Sequence, residues 1–174
     1  MATATEYQYA IFVNQKLAFA RTLINAAGSL GDGSLIERHN LLAYFDGALS
    51  QLHDALVFLL LEIATQQQNN LKIEFGCFSV VLRQLVDSGI ENDLTREVNE
   101  LAQQNSWLSA LLNAKNNPLQ LSALLDSQTK SPSSGSFLLA TDAVITKGPD
   151  VTLRDWLINV QLLVDRQRSQ AVEE

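Results

Sequence analysis

Cysteine occurs once in the 174 residues, as Cys77, so no intrachain disulfide staples this chain. A lone thiol fits a reducing compartment, and the expected location is the cytoplasm. Clustered positive charge is also missing. The chain carries 19 acidic against 12 basic residues, a net charge of −7, and the basic residues are scattered one at a time. That pattern speaks against nucleic acid and anionic membrane surfaces as partners, which need a focused positive field. Met1 to Tyr9 contains no Lys or Arg and leads into the polar Asn14-Gln15-Lys16, unlike a signal peptide. The phosphate-binding Gly loops, Cys-x-x-Cys, His-Glu-x-x-His and Gly-x-Ser-x-Gly are all absent, and so is the Glu-x-x-His of helical di-iron sites. Neither His39 nor His53 follows an arginine at the spacing used by small helical toxin nucleases. No cofactor is implied by any of this, and no repeat of solenoid length is present.

What is present is helical periodicity, and most of it lies in one stretch. From Ser34 to Gln68, Leu35, Leu42, Leu49, Leu56 and Ile63 recur every seven residues, with Phe45, Leu52 and Leu59 on the next ridge. Ser34 and Glu37 have the spacing of a capping box, and the Gln/Asn run from Gln66 offers nothing apolar to hold another turn. The result is a rod of roughly 50 Å. Its second half, Ala55 to Ala64, is apolar nearly all round apart from Glu62, and is too short on its own for a membrane span of about 20 residues. Phe58 and Leu61 fall on the side expected to face water. If Glu62 is buried, it needs a donor such as Arg or Asn from another helix.

The remaining segments arrange themselves around that rod. Thr5 to Ala27 reads as a first helix. The turn Gly28 to Gly33 is short enough to force an antiparallel hairpin, with Asn14 opposite Asp46 to Ser50, Arg21 opposite Glu37 to Leu41, and Tyr7 and Tyr9 beside the apolar second half. Leu71 to Ser88 reads as a third helix stopped by Gly89, although Ile73 to Val81 also fits a strand. Cys77 lies in this apolar region and is expected to be a buried, inert thiol. Asn92 or Asp93 caps a fourth helix reaching Ala114, with Trp107 as a core or interface anchor. A short helix fits Leu119 to Ser127, and Gln128 to Ser136 is a flexible loop of low complexity. Phe137 to Ile145 fits a short helix or an extended segment equally well. After a turn at Lys147 to Asp150, Thr152 and Asp155 cap a last helix whose charged end, Arg166 to Glu174, is expected to fray. The expected architecture is all-α: one domain over residues 1–174, a bundle of five to six helices organised around 34–68.

His39, Asp46 and His53 also recur at seven, about 40° round the long helix from its leucine ridge, with Ser50 one turn from Asp46. Imidazole and carboxylate are what a metal or an acid–base pair needs, but ligands seven apart stand about 10 Å apart along the axis. The preferred reading is a structural polar layer of Asn14, His39, Asp46, Ser50, His53 and Glu62 that fixes helix register.

Asn14-Gln15-Lys16-Leu17, Ala43-Tyr44-Phe45, Gly47-Ala48-Leu49, Leu60-Leu61-Glu62-Ile63-Ala64, Ser106-Trp107-Leu108 and Leu111-Leu112 resemble a family of uncharacterised gammaproteobacterial helical proteins, a domain of unknown function. The resemblance covers most of the chain. It implies a compact, soluble, helical bacterial protein and transfers no catalytic, cofactor or metal residue. Two functional readings follow from the residues themselves. One is a non-enzymatic helical protein that binds itself, as a two-fold dimer, or another protein through Phe58, Leu61 and Trp107. The alternative is a cryptic metal-binding or hydrolytic site around Asp46, His53 and Glu62.

Overall fold

The computed structural model describes residues 4–30, 35–67, 73, 76–90, 92–117 and 149–173. Among them the chain is all-α, with no strand: α1 Ala4–Ala27, α2 Leu35–Gln67, α3 Phe78–Asp87, α4 Asp93–Gln103, α5 Trp107–Asn116 and α6 Pro149–Glu173. The axis of the bundle is α2, against which α1, α3, α5 and α6 all pack. Leu52, Leu56, Leu59, Leu60 and Ile63 are completely enclosed, each contributing roughly 1.5–3 kcal/mol of burial. Facing them are Val13, Leu17 and Ile24 of α1, Val81 and Leu85 of α3, Leu108 and Leu111 of α5, and Leu157, Val160 and Val164 of α6.

The α1/α2 hairpin forms in a different register from the one expected. Lys16 meets Asp54 at 2.8 Å, the Phe12 and Phe58 rings stand 5.1 Å apart, and Leu23 covers Gly47. Asn14 therefore lies level with the residues near Leu56, about two turns beyond Asp46 to Ser50. The shift carries the first turns of α2 past the end of α1, leaving Ile36, Arg38, His39 and Asn40 exposed. On the other side α6 runs antiparallel to α1, with Arg168 reaching Ala10 and Asn14 and Arg154 reaching Asn25.

Three helix boundaries also differ from the periodicity. α3 starts only at Phe78, with Ile73 and Gly76 outside it, and Phe78 to Val81 is helix, so the strand reading fails there. Its end is a Schellman turn: Ile90 N–H donates to Leu85 O and Gly89 N–H to Val86 O, with Gly89 at φ +70°. The expected fourth helix is two. Ser106 breaks it, its hydroxyl accepting from the N–H groups of Leu108 and Ser109 while its own N–H donates to Ser109 Oγ, so the polar Gln104-Asn105-Ser106 run caps α5 instead of continuing α4. Asn92 caps α4 by accepting from Thr95 N–H at 2.7 Å. Finally, α6 begins at Pro149, a residue suited to a first helical turn, in place of the turn expected up to Asp150. The Ser34 cap and the expectations for Leu119–Ser127, Gln128–Ser136 and Phe137–Ile145 lie outside the described residues.

Candidate functional site

Polar side chains inside the bundle gather at one end, where α1, α2, α4 and α6 meet. Glu62 is buried on α2 with 3% of its side chain exposed, and Arg168 grips it in bidentate fashion, Nε to Oε1 at 3.2 Å and Nη2 to Oε2 at 3.3 Å. The same guanidinium donates to Asn14 Oδ1 at 2.8 Å and to the carbonyl of Ala10 at 3.3 Å. Beside it the buried Gln167 donates to Gln66 Oε1, and its own Oε1 accepts from Asn92. Arg166 completes the seam with Glu97 at 2.8 Å. One stretch of α6 thus ties the ends of three other elements together. One guanidinium engages both oxygens of the buried carboxylate, the geometry of a strong charge-assisted pair that clasps α6 to α2.

A second group lies where α1, α2 and α5 meet. Lys16 pairs with Asp54, Asp54 Oδ1 stands 3.8 Å from His53 Nδ1, and Lys115 donates to Ser50 Oγ at 2.7 Å. Burial holds the His53 imidazole below its ordinary pKa. Asp54 opposes that shift, and Lys115 adds to it. The imidazole is therefore neutral at physiological pH.

The layer expected from the seven-residue spacing does not assemble as one unit. Asp46 and His39 are exposed, Ser50 and His53 belong to the Lys115 and Asp54 group, and Asn14 and Glu62 belong to the Arg168 clasp. Since α1 meets α2 about two turns further along than the loop length implied, Asn14 never faces Asp46. Asp46, His53 and Glu62 share one helix, and 16 residues separate the first from the last, roughly 24 Å along its axis, so one ion or substrate cannot touch all three. Among the described residues no group of three His, Cys, Asp or Glu is placed to hold a metal ion.

Cys77 corrects another expectation. Its thiol is exposed, at the N-cap of α3 with Ser79 Oγ at 3.4 Å. The Ser79 hydroxyl, followed by the Val80 N–H, pulls its pKa below the ordinary thiol value.

A family model matches residues 10–174, nearly the whole chain. The chain belongs to DUF6586, a family of unknown function. No curated protein and no solved structure matches it. The DUF6586 match takes in Asn14, Glu62 and Arg168, so the clasp lies within the family domain.

The apolar surface of this DUF6586 chain is also placed differently from the sequence reading. Leu61 is buried, and Phe58 is half-buried beneath Tyr9 and Phe12 of α1, with ring centroids 6.3 and 5.1 Å away. The shifted hairpin register brings those aromatics over the second half of α2. Trp107 is half-buried against the core. Tyr7, expected beside the apolar second half of α2 together with Tyr9, is exposed instead. Ile11 and Phe19 of α1 and Ile36 of α2 are exposed as well, and α6 carries an exposed apolar line: Val151, Ile158 and Leu162 are 39%, 56% and 52% accessible and fall within an arc of about 40°. Their spacing was visible in the sequence as a second apolar face opposite Leu157, Val160 and Val164. Arg168 left no such signal, since it resembled any charged residue of a terminal helix.

Proposed function

We propose that this chain is a non-enzymatic helical protein of the bacterial cytoplasm that works by contact with another protein surface. The observation that carries the reading is the exposed line of Val151, Ile158 and Leu162 on the outer face of α6. A helix already held by a buried inner face gains nothing in its own fold from a second apolar face, and such faces ordinarily mark interfaces. The buried polar groups support the same reading, because Glu62 spends its carboxylate on Arg168, and Gln167 spends its amide on Gln66 and Asn92. An exposed, activated Cys77 suits a reducing compartment, where it escapes oxidative cross-linking.

A photo-reactive amino acid placed at Ile158 or Leu162 of the full chain in living cells tests the proposal. Discrete protein adducts are expected from both positions and not from the exposed Gln15 on α1. Silence at 158 and 162, or adducts equally strong from Gln15, would overturn it.

A further inference from the structure

The flanks of the apolar line on α6 carry a charge pattern that fits itself, and from it we infer that the partner is a second copy of this chain, docked α6 against α6. This rests on the contact reading above. At about 100° per residue, Arg154 and Asp165 lie on one flank of the Val151, Ile158, Leu162 line, and Asp155 and Arg166 lie on the other. Each flank holds one cation and one anion eleven residues apart, in opposite order along the helix. An antiparallel two-fold pair centred on Val160 sets Arg154 against Asp165 of the second copy and Asp155 against its Arg166. The same centre sets Ile158 against Leu162 of the second copy. A parallel two-fold pair sets Arg154 against Asp155 of the second copy and Asp165 against its Arg166. Opposite charges meet in both arrangements, so the face is self-complementary, as an isologous interface must be.

Charge balance supports the same occupant. The chain as a whole carries −7, and two such bodies repel, yet these four residues sum to zero around the apolar line. Three of them hold only exposed partners of small worth: Arg154 donates to Asn25, Asp165 accepts from Gln161, and Arg166 contacts Glu97. Within one chain Arg154 and Asp165 stand roughly 17 Å apart along α6 and cannot pair with each other. The face from Val151 to Ser169 is about 27 Å long, and a concentration of roughly 1 μM, where a binding free energy of about −8 kcal/mol half-fills an interface, is the point at which to look for its assembly.

The test is sedimentation velocity on the purified full chain over a hundredfold dilution around that concentration. A reversible monomer–dimer equilibrium is expected. Ile158→Glu should abolish it without lowering the melting temperature, and Arg154→Asp should weaken it roughly tenfold or more. Adding Asp165→Arg to Arg154→Asp should restore dimerisation if the pair is antiparallel, whereas adding Asp155→Arg should restore it if the pair is parallel. A monomer at every concentration would overturn the inference, as would a dimer indifferent to Ile158→Glu and Arg154→Asp, or one that neither second reversal restores. Should cross-links from Ile158 join a different protein while the purified chain stays monomeric, the inference fails and the contact reading survives. Absence of any cross-link removes both.

Discussion

Arg168 holds the largest share of the buried polar chemistry, and its pair with Glu62 is asymmetric in a way that can be measured. The Glu62 side chain is 3% exposed and the Arg168 side chain 31%, so each loses something different when the other is removed. Without the guanidinium, a buried carboxylate has no donor left in the clasp. Without the carboxylate, the guanidinium keeps Asn14 and the Ala10 carbonyl and can reach water. Arg168→Ala should therefore cost about 3 kcal/mol or more in urea unfolding, near the range for a broken buried pair, and Glu62→Ala about 2 kcal/mol. Equal costs would show that the pair is solvated on both sides. Asp46→Ala, by contrast, should change stability by less than about 0.5 kcal/mol, because its exposed carboxylate leaves no buried donor behind. A polar-layer role would have required several times that. His53 gives a pH dependence whose sign follows from its lowered pKa. The unfolded chain takes up a proton near pH 6.5 that the folded protein, with its imidazole desolvated and facing Lys115 despite the nearby Asp54, refuses until lower pH. Its contribution is thus complete above about pH 6.5 and is lost as pH falls toward the folded pKa. The urea midpoint should drop between pH 7.5 and 5.5, and His53→Gln should flatten that drop; a midpoint rising on acidification would contradict the assignment.

At the scale of elements, helix existence was legible in the sequence and helix register was not. The apolar period of α2 marked its full length, and the inner face of α6 was readable from Trp156, Leu157, Val160, Leu163 and Val164, because each periodicity is a local property. The α1/α2 register depends on how the connection leaves α1, and an error of two turns moved Asn14 from Asp46 to Arg168 and put Phe58 under Tyr9 and Phe12. The α4/α5 break had a local signal in Ser106 and Ser109, three residues apart, but the leucine period running through both helices outweighed it. Glu62 invited a search for a donor. Nothing local could choose Arg168, 106 residues away, over any other arginine. The end of α3 is the element-level feature with the cleanest test. Gly89 sits at φ +70° with open space where a Cβ would go, so only the backbone resists substitution. Gly89→Ala should cost about 1 kcal/mol in chemical denaturation, and a neutral result would mean that the Schellman turn relaxes at no cost.

For the whole molecule, the sharpest ambiguity is that α2 from Ile36 to Gln67 is long and apolar enough to cross a membrane, by length and composition alone. Judging only its second half hides this, since the span criterion is met by the helix taken whole. In the fold most of that helix is buried, and the faces that bury it set the balance. Moving α2 into a bilayer would keep its own leucines in an apolar medium but strand Val13, Leu17, Ile24, Leu157, Val160 and Leu163 in water. At roughly 1.5–3 kcal/mol each, that loss is as large as the whole stability of an ordinary domain. It would also separate Glu62 from Arg168. Insertion should therefore not compete with the bundle. Mixed with neutral phosphatidylcholine vesicles at pH 7.5, the protein should remain in the supernatant on sedimentation, with the near-ultraviolet dichroism of Trp107 and Trp156 unchanged. Co-sedimentation together with loss of that tertiary signal would show that lipid replaces α1 and α6 around α2, and the helix that organises this bundle would then be a membrane segment held in reserve.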